Sequence, residues 1–314
     1  MTPEQILPSP QRRQTYWHTA LALAVLAAVV WLARRHWPMV ETGAVRLAVA
    51  DQGWLLVAGV ATVATWPCSA FAQQGAVPDR LPPGRLVAAQ FAASAANHVL
   101  PAGLGAGVVT LRFLMRCGIP FAGAATAIAV KGTAGGIVRG ALIAMLVAVC
   151  PGVLLVPSLD ARYLVAVCVA AVGALALLAG PLSDRCRRAL TALRAYLGAV
   201  HARPVRAAAL WGGSLAFVAL HCVALVAVTR AVDLPLPPAR VALLHLAAST
   251  VAALLPTPGG LGSLDVALAL ALTAAGAPAV AAASAVLGYR LLTVWLPLIP
   301  GLVVLGVLVR RGSL

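Results

Sequence analysis

Three basic side chains lie deep within apolar segments of the sequence, where a charge is expensive. Lys131, the only lysine of the chain, and Arg139 lie in the apolar run 121–149, and Arg290 lies in a second run near the end of the chain. A cation at the centre of a bilayer costs at least about 2.5 kcal/mol on insertion scales, so it normally faces a helix bundle or a wet cavity. We therefore expect these side chains to form an anion-binding centre inside the membrane. The alternative for Lys131 and Arg139 is that each long side chain extends to the nearest membrane surface.

Asp265 is the one acidic residue that the sequence predicts within the hydrophobic zone. A lone buried carboxylate takes up a proton or pairs with a cation, so we predict that Asp265 pairs with Arg290 or Lys131. The alternative is a structural role as the cap or first-turn anion of the following helix. Tyr289, directly before Arg290, is included in the predicted binding site.

Asp265 follows a cluster of prolines and glycines that cannot continue a helix, although both flanks are apolar. Broken backbone at membrane depth is tolerated only where protein or a wet cavity satisfies its polar groups, and the exposed N–H groups of half-helices suit a phosphate. The alternative is a turn at the membrane surface. The break contributes these residues to the predicted site: Pro256, Pro258, Gly259, Gly260 and Gly262.

A second break, at 97–105, resembles the first. Both contain Leu-Pro followed by Gly-Leu-Gly, and both are followed by Gly-x-Pro, at 118–120 and at 276–278. The break contributes His98, Pro101 and Gly103 to the predicted site, although His98 is also interpreted as a hydrogen-bonded structural residue. Similar segments that enter from opposite sides are typical of the inverted repeats of secondary transporters.

The elements that must position these residues are membrane helices. The chain is 62% hydrophobic and 10% charged, with a mean hydropathy of +0.97, and a span needs about 20 apolar residues. The sequence predicts an all-α, polytopic integral membrane protein of about six full spans plus two re-entrant helical hairpins that form an inverted repeat. The predicted full spans are 18–35, 53–72, 121–149, 161–180, 207–230 and 280–309, and the interrupted regions are 86–111 and 241–275.

The basic residues predict the topology, because basic loops stay in the cytoplasm. The arginine-rich loop 181–206 and both termini are expected to be cytoplasmic, whereas the loop 34–52 would lie outside despite three arginines. We predict a cytoplasmic segment at 1–17 and one transmembrane domain at 18–310, with repeat one at about 53–149 and repeat two at about 207–309. The abundance of Ala, Arg and Gly favours a bacterial cytoplasmic membrane.

Soluble enzyme chemistry has no support in the sequence. The formal charge of +15 indicates topology and contact with anionic lipid, and no nucleic-acid partner is expected. The cysteines form no C-x-x-C motif, so neither a metal site nor a disulfide framework is predicted. No H-E-x-x-H, P-loop or G-x-S-x-G motif occurs. We expect no cofactor.

The motif Pro256-Thr257-Pro258-Gly259-Gly260-Leu261-Gly262 with Asp265, followed by Gly276, Tyr289-Arg290, Trp295-x-Pro297 and Gly301, resembles the lysylphosphatidylglycerol synthase transmembrane family. This family forms the flippase-like membrane region of the multiple peptide resistance factors. The resemblance implies a polytopic helical fold and movement of lipids, such as aminoacylated phosphatidylglycerol, between leaflets. The family more often has Glu at the position of Asp265. The soluble aminoacyl-transferase domain is not found, so lysyl-lipid synthesis is not expected.

Three functions are therefore considered. The first is a lipid flippase that moves an anionic or aminoacylated phospholipid, or a polyprenyl-phosphate-linked lipid, between leaflets. Its expected partners are membrane lipids, and the sequence leaves the assembly open between a monomer and a homodimer. The second is a membrane-embedded transferase acting on a lipid phosphate. The third is a non-catalytic membrane scaffold.

Overall fold

The computed structural model describes residues 45, 47–99, 104–149, 191, 196–254, 262–312 and 314, and within these residues the regular elements are all helical. We number in chain order the eight helices whose two ends the structure describes. They are α1 (Gln52–Gly75), α2 (Pro83–Val99), α3 (Gly105–Arg116), α4 (Phe121–Val149), α5 (Pro204–Ala231), α6 (Pro238–Leu254), α7 (Ser263–Ala274) and α8 (Ala279–Arg310), the last containing a π-helical turn at Leu291–Trp295.

Helices α1, α4, α5 and α8 are long and apolar enough to cross a membrane. They correspond to four of the six predicted spans, and the other two, 18–35 and 161–180, lie outside the described residues. The four remaining helices are shorter, and they flank the two predicted breaks: α2 ends at Val99 before α3 begins at Gly105, and α6 ends at Leu254 before α7 begins at Ser263. Residues 100–103 and 255–261, which contain the breaks themselves, lie outside the described residues.

The helices occur in the same order of lengths in both halves. Helices α1 to α4 have 24, 17, 12 and 29 residues, and α5 to α8 have 28, 17, 12 and 32. Helices α2 and α6 both begin at the second proline of a Pro-Pro-x-Arg sequence, where a missing N–H costs nothing.

The two Gly-x-Pro sequences form the same helix stop. Gly118 and Gly276 have φ of +88° and +98°, a left-handed conformation that favours glycine just past a helix end. The next residue in each case donates its N–H to a carbonyl five residues back, Ile119 to Leu114 at 3.2 Å and Ala277 to Leu272 at 3.1 Å. The repeated sequence therefore has a repeated local structure.

Helices α1 and α5 run antiparallel with their backbones in contact. A Cβ atom on Gly75 would lie 2.3 Å from the backbone nitrogen of Leu210, and one on Gly213 would lie 2.6 Å from that of Ala72. At the opposite end of the pair, the N–H group before α1, on Asp51, donates to the carbonyl of the last residue of α5 at 3.1 Å. Glycine at both crossings allows this close approach, as in other small-residue interfaces of membrane helices.

Two apolar core clusters pack the short helices against the long ones, and each cluster contains residues from both halves. Phe113 and Leu114 of α3 pack in the first cluster, and Leu268 and Leu272 of α7 pack in the second. These four side chains are fully buried, so the short helices are anchored against the long ones. Outward-facing positions carry large exposed apolar side chains, Ile299 among them, as expected of a surface in contact with lipid.

Candidate functional site

A cavity of about 760 Å³ lies between the two halves and receives side chains from all the described helices except α7. Most of its wall is apolar, but hydroxyl and amide side chains from several helices also line it. None of the described residues that line it is a carboxylate, whereas two are cations, Lys131 and Arg139. The hydroxyl and amide side chains of the wall are Thr62, Thr65, Ser69, Gln73, Gln90, Ser94, Asn97, Thr110, Ser214, Thr250 and Thr293.

Lys131 points into the protein. Its Nζ donates to Ser69 Oγ at 2.8 Å and to Gln90 Oε1 at 2.7 Å, and Ser69 Oγ donates to the same Gln90 oxygen at 2.9 Å. Both partners are neutral, and no carboxylate of the described residues pairs with Lys131. The alternative in which Lys131 extends to the membrane surface is therefore wrong, and α1, α2 and α4 meet at this side chain.

Arg139 lies two turns further along α4 and lines the same cavity. No hydrogen bond or ion pair joins its guanidinium to another described residue. His221 of α5 lines the cavity as well, and its ring stacks on His245 with a centroid separation of 6.4 Å and an interplanar angle of 11°. His245 in turn meets the edge of the Tyr289 ring at 5.4 Å. Tyr289, predicted as a site residue, is buried behind this wall and does not line the cavity.

The glycines of α4 open the cavity. A Cβ at Gly132, Gly136 or Gly140 would meet no described atom within 4 Å beyond its own helical turn. All three line the cavity. Their role in the described part of the chain is therefore to leave space along the helix beside Lys131 and Arg139.

Asp265 and Arg290 form the predicted ion pair, with Asp265 Oδ1 accepting from Arg290 Nε. The Arg290 side chain is 7% exposed and that of Asp265 is 34% exposed. Asp265 Oδ2 also accepts the N–H of Gly262 at 2.9 Å, and Gly262 has a φ of +81°. Pairing and first-turn capping, proposed as alternatives, are thus both present.

Of the three deep cations predicted to form one centre, Lys131 and Arg139 line the cavity and Arg290 lies apart from its described lining. Neither Arg290 nor Asp265 lines the cavity, and Arg290 has a carboxylate partner. The sequence fixes the depth of a side chain along its helix, but the direction of the side chain depends on how the helices pack. His98, in the last turn of α2, is partly buried and is not a cavity-lining residue.

Six further predicted site residues fall at the breaks, outside the described residues. They are Pro101, Gly103, Pro256, Pro258, Gly259 and Gly260.

The two halves place contacting pairs at equivalent positions. Lys131 and Tyr289 are each eleven residues after the proline of Gly-x-Pro, and Gln90 and His245 are each seven residues after the Pro-Pro pair. Lys131 contacts Gln90, and Tyr289 contacts His245. The equivalent positions are thus occupied by a lysine and its amide partner in one half and by two contacting aromatic rings in the other.

By the same numbering, the positions of Asp265 and Arg290 correspond to Gly107 and Gly132. These two glycines line the cavity, and neither has a described neighbour within 4 Å of an added Cβ. The second half is therefore filled by an ion pair where the first half is open.

The sequence interpretation missed Ser69, Gln73, Gln90 and His221. The sequence did contain an indication of these residues, because an amide, hydroxyl or imidazole inside an apolar helix requires a hydrogen-bond partner.

A family model described as the lysylphosphatidylglycerol synthase TM region matches residues 19–301. No curated protein matches the chain.

Proposed function

Because the chain belongs to the lysylphosphatidylglycerol synthase transmembrane family, we propose that it moves a lipid with an anionic head group between leaflets and is not an enzyme. The membrane assignment follows from the family and from the four long apolar helices. Transport is the function that the cavity supports best.

The observation that carries this proposal is the charge of the cavity. Lys131 and Arg139 both line it, and no carboxylate does so among the described residues. Each cation in a low-dielectric site costs several kcal/mol unless an opposite charge enters. A phosphate group would supply that charge, while the acyl or prenyl tails remain among the outward apolar side chains.

The repeated fold supports transport by alternating access. Equal helix order in the two halves, with α1 and α5 antiparallel, is the arrangement of an inverted-topology repeat. Helices α3 and α7 have 12 residues each, or about 18 Å at 1.5 Å per residue, which is shorter than a hydrocarbon core of about 30 Å. We propose that α2 with α3 and α6 with α7 are re-entrant hairpins that enter from opposite sides.

The basic residues support an orientation. We propose a multi-pass protein of the bacterial cytoplasmic membrane with both termini and the basic loop 181–206 in the cytoplasm. Arg310 and Arg311 at the end of α8 carry the C-terminal part of this charge.

The test is a leaflet-protection assay. Purified protein is reconstituted into vesicles that contain a trace of tail-labelled phosphatidylglycerol, and dithionite is added to quench the outer leaflet. The wild-type protein is expected to expose the inner-leaflet probe to quenching, because the probe crosses during the assay. The double variant Lys131→Met, Arg139→Leu is expected to quench at the protein-free rate.

Arg310→Gln is the matched control, since it removes a cation from an exposed position at the end of the same bundle. It is expected to retain the wild-type rate. Inner-leaflet protection equal to that of empty vesicles for wild-type protein, across phosphatidylglycerol and polyprenyl-phosphate probes, would refute lipid transport.

A further inference from the structure

Two glutamines in the cavity wall have amide atoms without partners. Gln73 is 1% exposed, and neither its Nε2 nor its Oε1 has a hydrogen-bond partner among the described residues. Gln90 is 6% exposed, and its Nε2 is without a partner although its Oε1 accepts two hydrogen bonds. Both side chains line the cavity. A buried polar group left in this way costs about 1–3 kcal/mol, so it indicates a ligand or ordered water that is bound there in use.

The three unpartnered amide atoms, Gln73 Nε2, Gln73 Oε1 and Gln90 Nε2, differ in what they can bind. Gln73 offers both an amide donor and a carbonyl acceptor, and Gln90 offers a donor. The oxygens of a phosphodiester can accept from the donors, but they cannot donate to Gln73 Oε1. A hydroxyl group can do both. The wall beside Lys131 therefore suits a head group that carries hydroxyls next to its phosphate.

The same wall disfavours an ammonium group. Of the described acidic residues, Asp51 caps α1 and Asp265 pairs with Arg290, and none lines the cavity. An aminoacyl head group would bring a cation into a space that already holds two. Like charges brought together at a desolvated site cost several kcal/mol.

We propose, on the basis of the proposed function, that the cavity selects a lipid with a net anionic, hydroxyl-bearing head group and rejects a lipid whose head group carries an aminoacyl ammonium. The Gln73 amide forms hydrogen bonds with the hydroxyl, and Lys131 and Arg139 bind the phosphate. The substrate class is thus a polyol phosphate lipid rather than a lysyl lipid.

The test compares four tail-labelled probes with matched acyl chains in the same vesicle assay. Phosphatidylglycerol is expected to move fastest, phosphatidylmethanol at least about tenfold more slowly because it is a phosphodiester without hydroxyls, and lysyl-phosphatidylglycerol and phosphatidylcholine at the protein-free rate. Gln73→Leu is expected to slow phosphatidylglycerol to the rate of phosphatidylmethanol and to leave phosphatidylmethanol unchanged. Gln52→Leu, at the exposed start of α1, is the matched control and should behave as wild type.

A variant that gains a new substrate distinguishes a change of selectivity from a loss of folding. Gln73→Glu places a carboxylate in the wall, so it is expected to admit lysyl-phosphatidylglycerol and to slow phosphatidylglycerol. Lysyl-phosphatidylglycerol moved by wild-type protein as fast as phosphatidylglycerol would overturn the selectivity. An unchanged phosphatidylglycerol rate in Gln73→Leu would overturn the role of Gln73.

Binding in detergent separates this inference from the transport function. Short-chain phosphatidylglycerol is expected to raise the melting temperature, and the lysyl form is not. Selective stabilisation without any lipid movement would refute transport and uphold the head-group preference. Movement of all four probes at one rate would uphold transport and refute the head-group preference.

Discussion

The ion pair between Asp265 and Arg290 gives a stability prediction whose size follows from its burial. An exposed pair contributes about 0–1 kcal/mol, whereas removal of one partner from a buried pair costs about 3–5 kcal/mol. Arg290 is 7% exposed but Asp265 is 34% exposed, so water screens the carboxylate in part. We therefore expect a coupling free energy of about 2 kcal/mol, between these limits.

A double-mutant cycle with Asp265→Asn and Arg290→Gln measures this coupling. Asparagine keeps an oxygen that can accept the Gly262 N–H, so this variant removes the charge and retains the cap. Asp265→Ala removes both, and a lost cap adds about 1 kcal/mol. The free energy of unfolding is measured by denaturant titration in detergent, with Arg310→Gln as the exposed control that should change it little.

The result that would refute this reasoning is additivity. Additivity means that the double variant loses as much free energy of unfolding as the two single variants together, within about 0.5 kcal/mol. In that case the pair contributes no mutual stabilisation, and the cost of burying the charge of Arg290 is offset by other interactions. Equal losses in Asp265→Asn and Asp265→Ala would separately refute the capping role.

Three further predictions test the fold and the cavity. Gly213→Ala places a Cβ 2.6 Å from a backbone nitrogen of α1 and should destabilise the protein by about 1–3 kcal/mol in denaturant titration, whereas Gly59→Ala, with no neighbour within 4 Å, should not. Gly136→Leu projects into the cavity and should stop lipid movement in the vesicle assay while the melting temperature is retained. Single cysteines at Ala102 and Thr257 in a cysteine-free background should react with impermeant maleimide from the cytoplasmic and external sides respectively, and labelling of both from one side would contradict opposed hairpins.

Much of the fold was predictable because it is encoded locally. Apolar length alone predicted the long helices, and the two Gly-x-Pro sequences predicted the repeat whose glycines adopt positive φ at the same helix stop. That Asp265 pairs with a deep cation was also predictable, but the sequence left Arg290 and Lys131 as alternatives and the structure selects Arg290. The stronger repeat signal, Pro-Pro-x-Arg at the start of α2 and α6, became clear only from the helix boundaries.

The cavity wall was not predictable, because it depends on packing between distant segments. Gln73 follows the predicted span 53–72 and would be expected to reach water. Helix α1 instead continues to Gly75, whose contact with Leu210 brings α5 against this end of the helix. The end of α1 that carries Gln73 is therefore packed against a residue that follows Gly75 by 135 positions in the sequence, and no periodicity within α1 indicates that contact.

The two halves have the same order of helices but different side chains at equivalent positions. Both halves present a residue eleven positions after the Gly-x-Pro proline to the middle of the adjacent short helix. Lys131 lines the cavity, whereas Tyr289 is buried against His245. Where the second half contains its own internal ion pair, the first has Gly107 and Gly132 and leaves space. Charge that is satisfied within the protein cannot bind a substrate, and charge that lines an open wall can. The half that contains Lys131 is therefore the half in which the head group is expected to bind, although both halves have the same order of helices.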